Sequence, residues 1–153
     1  MKRLTILLVC AALALVPTAV LSQSKVYRTV TNDGLEKILQ SLDLKYQRDE
    51  RKDKDATITY FDFKRGEESY RLYNYVNDLW IESTFEKAMK ADDINRWNAD
   101  AKFSRLVMIP QRDKTMLSLE SQLDCLGGVT DAVVKQYINR FDEEAKKFAK
   151  FSK

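Results

Sequence analysis

The sequence predicts an α+β domain, a twisted antiparallel β-sheet with N-terminal, middle and C-terminal helices packed on it. Three observations support this prediction. Apolar residues recur at helical spacing in three segments, other segments alternate apolar and polar residues with a period of two, and short turn sequences join the alternating segments. The resulting order of elements is α-β-β-β-β-α-β-β-α.

The first 22 residues are left out of the fold because they have the features of a secretory signal peptide. Two basic residues precede a thirteen-residue apolar run, Leu4–Val16, and Pro17 ends this run ahead of a cleavage position after Ser22. The run is shorter than the roughly 20 residues that a membrane-spanning helix needs. We therefore expect cleavage near Ser22, with an uncleaved membrane anchor as the alternative.

Residues 23–153 are expected to form a single secreted or periplasmic domain with no stable membrane span. The leader carries two basic residues and no acidic ones, so cleavage lowers the net charge from +3 to +1. A domain this close to neutral has no electrostatic basis for binding nucleic acid. The chain also contains no histidine, which removes Ser-His-Asp and Cys-His catalysis and His-ligated zinc. We expect no catalytic residues, no cofactor and no metal.

Cys125 is the only cysteine that remains after cleavage, because Cys10 belongs to the leader. A disulfide within the mature chain is therefore excluded. In an oxidising compartment a single thiol is either buried as a small apolar side chain or paired with a second chain. We expect a buried Cys125, and a homodimer bridged through this residue is the alternative.

The first helix is predicted to begin near Thr31, whose hydroxyl can accept a hydrogen bond from a free amide of the first turn. The apolar stripe of this helix consists of Leu35, Ile38, Leu39 and Leu42. The eleven residues 45–55 follow, and nine of them are charged. This composition predicts a solvated strand and turn.

Three strands are predicted over residues 57–64, 68–76 and 79–86, where β-forming residues alternate with a period of two. The short turns 65–67 and 77–78 make these strands antiparallel neighbours. Aromatic residues occur on both sides of the strands. We therefore expect both faces of the sheet to be covered at least in part, by helices or by a partner.

The remaining chain predicts a helix, a hairpin and a final helix. The helix covers Ala88–Ala101, with Ile94 and Trp97 facing inward, and the hairpin strands cover 103–109 and 115–124. Gly127 and Gly128 free the backbone before the final helix, and Thr130 is its expected cap. The apolar residues of the final helix are Val134, Tyr137, Ile138, Phe141, Ala145 and Phe148.

Four residues of the predicted sheet are the candidate functional residues: Arg71, Tyr73, Tyr75 and Trp80. They alternate onto one face of two adjacent strands. Tyr, Trp and Arg are the residue types that most often anchor protein contacts, so this face, or a free strand edge, is expected to bind a protein or peptide. In the alternative interpretation a terminal helix covers the face and the residues belong to the core.

Two other functions are compatible with the sequence. Glu82 and Glu86 share a strand face with Trp80, and paired carboxylates beside an aromatic ring could serve a glycoside hydrolase. Charged residues that alternate on a strand are more often a solvated face. A small-ligand or lipid carrier would instead enclose an apolar pocket between the curved sheet and the last helix.

Three short segments resemble the YbjN domain family of bacterial sensory transduction regulators. They are Asn95-Arg96-Trp97-Asn98, Lys102-Phe103-Ser104-Arg105 and Leu126-Gly127-Gly128-Val129-Thr130. The opening helix also fits, so the resemblance covers about residues 28–150. It implies a fold similar to type III secretion chaperones, often dimeric, and it brings no catalytic residues.

The leader separates this chain from the cytoplasmic roles that the resemblance implies, so those roles are not carried over. We expect an exported, non-catalytic domain that binds a protein or peptide partner as a regulatory, chaperone-like module.

Overall fold

Each alternating segment can bury only one face and leaves main-chain groups free on both edges, so successive segments pair through tight turns. The computed structural model describes residues 25–54, 56–110 and 115–152. Within these residues a six-stranded antiparallel sheet and three helices occur in the predicted order. In chain order the elements are α1 (Asn32–Ser41), β1 (Tyr46–Asp53), β2 (Ala56–Arg65), β3 (Glu68–Asn74), β4 (Asp78–Phe85), α2 (Ala91–Asp100), β5 (Arg105–Pro110), β6 (Thr115–Asp124) and α3 (Asp131–Phe151).

The leader predicted over residues 1–22 lies outside the described residues, as do positions 111–114 of the predicted hairpin turn. In the part of the chain that is described, no helix is both long enough and apolar enough to cross a membrane.

The strands lie in the order β1-β2-β3-β4-β6-β5 across the sheet. Strands β1 to β4 form a meander, and the chain then crosses through α2 to build β5 at the far edge. Strand β6 returns between β4 and β5. It pairs with β4 from Asp78 opposite Asp124 to Phe85 opposite Leu117, so two strands that are not consecutive in sequence lie side by side in the interior of the sheet.

The three helices share one apolar core with one face of the sheet, which we call the inner face. The strands contribute Phe61, Leu72, Leu79, Ile81, Leu117 and Leu119 to this core, and the helices contribute Leu35, Ile38, Leu39, Val134, Ile138, Phe141 and Phe148. Each such side chain stabilises the fold by about 1.5–3 kcal/mol when it is fully buried. The helical stripes predicted from the sequence therefore face the sheet.

Both predicted threonine caps are confirmed. The Thr31 hydroxyl accepts a hydrogen bond from the Gly34 amide at 3.1 Å, and the Thr130 hydroxyl accepts one from the Val133 amide at 3.3 Å. Such caps satisfy amides that have no partner within the helix and typically contribute about 1 kcal/mol each.

The turn between β3 and β4 differs from the predicted one, because the three residues before Asp78 form it. Val76, predicted to lie in a strand, has a φ of 71°, and the amide of Asn77 donates to the carbonyl of Tyr75 across it at 2.8 Å. The side chain of Asn74 fixes this turn by accepting a hydrogen bond from the Val76 amide at 2.9 Å. A β-branched residue is strained at such a φ.

Other element boundaries also differ from the prediction by one to three residues. Helix α2 begins at Ala91 and β5 at Arg105, two or three residues later than the periodicity indicated. Strand β4 ends at Phe85, where its pairing with β6 ends, so Glu86 lies beyond the strand. Ile94 and Trp97 of α2 are buried, as predicted.

Candidate functional site

The sheet face opposite the helices, which we call the outer face, is covered by no helix of the described residues. The buried side chains of all three helices belong to the core of the inner face. Ile58 and Tyr73 of the outer face are buried, yet neither belongs to that core. The sequence predicted that helices or a partner would cover both faces, and no described helix covers this one. The interpretation that a terminal helix buries the candidate residues is therefore wrong.

Three arginine side chains cover the aromatic rings of the outer face in place of a helix. The guanidinium carbon lies 4.3 Å from the ring centroid for Arg71 over Tyr60, 5.4 Å for Arg51 over Tyr73 and 5.1 Å for Arg105 over Trp80. Each exposed contact of this type is worth about 0.5–1 kcal/mol. The aliphatic part of each arginine shields apolar ring surface while its charge stays hydrated.

Arg71 is also held by two parallel hydrogen bonds to the carboxylate of Asp62. Its Nε and Nη2 atoms donate to the two carboxylate oxygens at 2.7 and 2.8 Å. The two residues lie directly opposite each other on β2 and β3. The bond to Asp62 keeps the pKa of Arg71 above its ordinary value. The planar guanidinium is thus fixed in orientation before any partner arrives.

A second polar contact crosses from β3 to β4. The hydroxyl of Tyr73 donates to a carboxylate oxygen of Glu82 at 2.9 Å. Burial raises the pKa of the Tyr73 hydroxyl, and the nearby charge of Glu82 raises it further. Tyr73 therefore remains a hydrogen-bond donor throughout the neutral pH range.

Glu82 faces a second carboxylate that the sequence analysis did not pair with it. Glu120 of β6 lies directly opposite Glu82 on the outer face, and only 7% of its surface is exposed. Burial raises the pKa of Glu82, the hydrogen bond from Tyr73 lowers it, and the charge of Glu120 raises it again. Arg105 balances the pair, since its Nε atom lies 3.3 Å from Glu120. Glu82 and Glu120 are close because β4 lies beside β6, and sequence periodicity does not reveal which strands are neighbours.

The structure brings all four candidate residues together, three of them on the paired strands β3 and β4. Tyr73 and Trp80 are directly opposite each other on β3 and β4, and Arg71 lies two residues along β3 on the same face. Tyr75 lies just beyond β3, where its ring stacks on that of Tyr73 at a centroid distance of 6.0 Å. Tyr73 is only 6% exposed whereas Tyr75 is 40% exposed. Trp80 and Arg71 are half-buried.

An open groove of about 860 Å³ adjoins these residues on the outer face. Its lining includes Gln47, Asp62, Arg71, Glu82 and Thr84. Charged and amide groups thus lie beside the aromatic residues of the outer face. The groove is also lined by Tyr46, Phe63 and Tyr70, so it offers hydrogen-bond partners and apolar surface together.

Both edge strands of the sheet, β1 and β5, have features that hinder the addition of another strand. On β5 the carboxamide of Asn98 occupies both main-chain groups of Leu106, accepting from its amide at 2.6 Å and donating to its carbonyl at 3.0 Å. Pro110 ends this strand without an amide hydrogen. On β1, charged residues fill the edge and Asp49 accepts a hydrogen bond from the Glu50 amide at 2.8 Å.

The segments that resemble a known family have structural roles. Trp97 packs edge-on against Phe148 in the core. Gly128 has a φ of 96°, and a side chain built on it would approach Val26 to 2.9 Å. Its neighbour Val129 pairs with Tyr27 through two main-chain hydrogen bonds. These segments therefore identify the fold, and Arg105, which lies over Trp80, is the one outer-face residue that they contain.

Among the described residues, neither alternative site is formed from the parts that the sequence predicted for it. The space between α3 and the sheet is filled, since Phe141, Ala145 and Phe148 are at most 1% exposed, so the pocket expected for a carrier is not formed there. Glu86 is exposed beyond the end of β4. The carboxylate directly opposite Glu82 is instead that of Glu120. Among the described residues no cluster of three metal-binding side chains occurs.

Cys125 is free and fully buried. Burial raises the pKa of its thiol to about 11, and the charges of Asp78 and Asp124 contribute. A thiol in this state is a poor nucleophile, and it could reach a second chain only after local opening.

A comparison with known proteins agrees with the resemblance seen in the sequence. A family model described as "YbjN: Putative bacterial sensory transduction regulator" matches residues 31–151. Among solved structures, "Crystal structure of YbjN, a putative transcription regulator from E. coli" matches with a TM-score of 0.61 and 15% sequence identity, covering 78% of this chain and 89% of that chain. At this identity the likeness shows the fold alone. No curated protein matches the chain in sequence.

Proposed function

The chain belongs to the YbjN family of regulators, and from this premise we propose that it is an exported, non-catalytic domain that binds a protein or peptide partner on the outer face of its sheet. The observation that carries this proposal is the absence of any described helix from that face. A sheet face rich in aromatic rings is normally buried, and here it is left to arginine side chains.

The composition of the outer face fits a protein partner. Trp, Tyr and Arg dominate the energetic centres of protein interfaces, because each offers a large apolar surface with a polar group at its end. Arg71 is already fixed by Asp62, so binding loses little side-chain entropy there. The groove beside these residues presents carboxylate and amide groups that can form hydrogen bonds with the main chain of an extended peptide.

Export is the second part of the proposal, and it rests on the leader alone. A basic start, the thirteen-residue apolar run Leu4–Val16 and the proline after it support secretion to the periplasm or beyond. Intact-mass analysis of the natural product tests this part. A chain that still begins at Met1 contradicts it.

The binding proposal can be tested with two matched arginine variants. Arg71 and Arg96 each pair with one aspartate, at 2.7 and 2.8 Å, and each lies over one aromatic ring, at 4.3 and 5.2 Å. Arg71 lies on the outer face and Arg96 on α2. We expect Arg71→Ala to weaken partner capture from the envelope fraction about tenfold or more. We expect Arg96→Ala to leave capture unchanged.

A third variant separates binding from folding. Because Trp80 is half-buried and outside the main core, Trp80→Ala is expected to keep a cooperative melting transition and to lose partner capture. Loss of the transition itself would instead assign Trp80 to the core. Equal capture by wild type, Arg71→Ala and Trp80→Ala contradicts binding at this face.

A further inference from the structure

The exposed apolar side chains of the described residues are concentrated at one end of the sheet. Five of the six large ones lie where the described chain begins, where β3 turns into β4 and where β6 leads into α3. They are Val26, Tyr75, Val76, Leu126 and Val133. The sixth, Met108, lies on β5 opposite Leu117 of β6. Leu117 is seven residues from Asp124, which places Met108 about 23 Å from this end.

Main-chain hydrogen bonds join the three segments into one surface. The amide of Val30 donates to the carbonyl of Val76 at 2.9 Å, and the amide of Cys125 donates to the carbonyl of Asn77 at 2.8 Å. The Val26 side chain lies against Gly128. We call the surface formed by Val26, Tyr75, Val76 and Leu126 the amino-terminal patch.

The side chain of Val76 does not belong to the core, so core packing does not explain its presence in this patch. It is β-branched, it has a φ of 71°, and 55% of its surface is exposed. Glycine or asparagine would adopt this backbone conformation with less strain. A residue that is both strained and exposed indicates a contact outside the domain.

The chain itself indicates which contact this is. The described chain begins at Lys25, beside Val26 in the patch, and the apolar run Leu4–Val16 of the leader precedes it. Only nine residues, 17–25, separate this run from the patch, and they span at most about 30 Å. If the leader enters a bilayer during export, as the proposed function assumes, it brings this end of the chain next to the lipid. Cleavage after Ser22 removes that covalent link, so contacts of the patch itself would have to hold the domain there.

We propose that the amino-terminal patch docks on a lipid bilayer surface by inserting Val26, Val76 and Leu126 into the interface. Tyr75 at the rim is a residue type favoured at membrane interfaces. Asp78, Asp124 and Asp131 lie at the same end as Lys25 and Arg28, so attraction to anionic lipids is weak. Docking therefore depends on apolar insertion and persists in high salt.

The test measures flotation of the leader-free protein, residues 23–153, with vesicles of phosphatidylethanolamine and phosphatidylglycerol. All core residues of the described chain lie between Val30 and Phe148, so removal of the leader leaves that core complete. We expect wild type to float with the vesicles in 0.1 and 0.5 M NaCl. Val76→Asn removes the apolar group and relieves the strained backbone, so it should lower vesicle binding roughly threefold to tenfold without lowering the melting temperature.

Met108→Asn is the matched control, because it removes a similarly exposed apolar side chain from the opposite end of the sheet. It should float like wild type. Failure of wild type to float, equal losses in the two variants, or release at 0.5 M NaCl would each overturn the proposal. A vesicle-independent dimer that Val76→Asn dissociates would overturn it in favour of a second copy of this chain. Flotation needs neither export nor a partner at the outer face, so its failure is distinct from failure of the proposed function.

Discussion

The two faces of the sheet are built from the same alternating strands but are stabilised in different ways. On β3, Tyr70 and Leu72 point inward and are covered by α3 and the apolar core, whereas Arg71 and Tyr73 point outward and are covered by other side chains of the sheet. The inner face depends on removal of apolar area from water. The outer face depends on arginine–aromatic contacts and ion pairs, which are individually weak at a surface.

This difference shows that the number of aromatic residues on a strand face does not decide whether a helix covers it. Tyr60, Tyr73 and Trp80 would fit a core by their residue type. What distinguishes their face is the arginine that lies over each ring. Substitutions on the inner face should therefore unfold the domain, and substitutions on the outer face should leave it folded and alter its binding.

The largest effect is expected for Phe141→Ala. Phe141 is fully buried and packs edge-on against Tyr70 at a centroid distance of 5.7 Å. The cavity left behind should lower the free energy of unfolding by about 4 kcal/mol, measured by urea denaturation. Val133→Ala on the exposed side of the same helix should change it by less than about 0.5 kcal/mol. Similar losses in the two variants would contradict the packing of α3.

The next largest effect is expected for Asp142→Asn. Asp142 is buried and accepts hydrogen bonds from Tyr70 and Lys146, both at 2.8 Å, while Arg65 lies 3.5 Å away. Loss of these charged hydrogen bonds should lower the free energy of unfolding at pH 7 by about 2 kcal/mol, measured by urea denaturation.

The same variant gives a pH test. Burial alone would raise the pKa of Asp142, but the hydrogen bonds from Lys146 and Tyr70 hold it below its ordinary value of 3.8. A lowered carboxyl pKa stabilises the folded state above the ordinary value, and this contribution is lost as pH falls through the lowered one. The difference between wild type and Asp142→Asn should therefore shrink below about pH 4. A constant difference from pH 7 to pH 3 would contradict this assignment.

A smaller effect is expected for Arg71→Lys on the outer face. Lysine keeps the charge but cannot form the two parallel bonds to Asp62 or lie flat over Tyr60. We expect the free energy of unfolding to fall by only about 0.5–1 kcal/mol, while partner capture falls much further. A loss of stability as large as that of Phe141→Ala would remove the distinction between the two faces.

The smallest effect, with the opposite sign, is expected for Glu82→Gln. Burial and the opposing Glu120 raise the pKa of Glu82 in the folded state. The folded chain then binds this proton more tightly than the unfolded chain, so stability decreases as pH rises through the raised pKa. Glutamine removes this penalty and can still accept the hydrogen bond from Tyr73. We expect a small rise in Tm at pH 7 that disappears near pH 4, and a lower Tm at pH 7 would contradict it.

Local patterns in the sequence predict the elements of this fold well. Thr31 and Thr130 were identified as caps because the hydroxyl of a capping residue bonds only to the first turn of the helix that follows it. Ile94 and Trp97 were placed on the inner side of α2 because the helical period needs no knowledge of the element against which the helix packs.

The features that depend on distant parts of the chain could not be predicted in this way. The pairing of Glu82 with Glu120 requires β6 to return beside β4. The outer face is open because all three helices pack against the inner face. The strained φ of Val76 depends on the Asn74 side chain and on the segment at Val30, which alternation along a strand does not represent.

By contrast, the proximity of Arg71, Tyr73 and Trp80 could be predicted, because these residues lie on strands that are joined by a short turn.

The late position of β6 in the chain sets the order in which the sheet can form as the chain emerges from its amino terminus. Until residues 115–124 have emerged, the meander that ends at Phe85 has an unpaired edge along β4. A nascent or truncated chain that stops before Thr115 presents this edge to other chains and is prone to aggregate. The domain therefore completes its fold only after most of its length has emerged, which is compatible with the proposed export of the chain in an unfolded state.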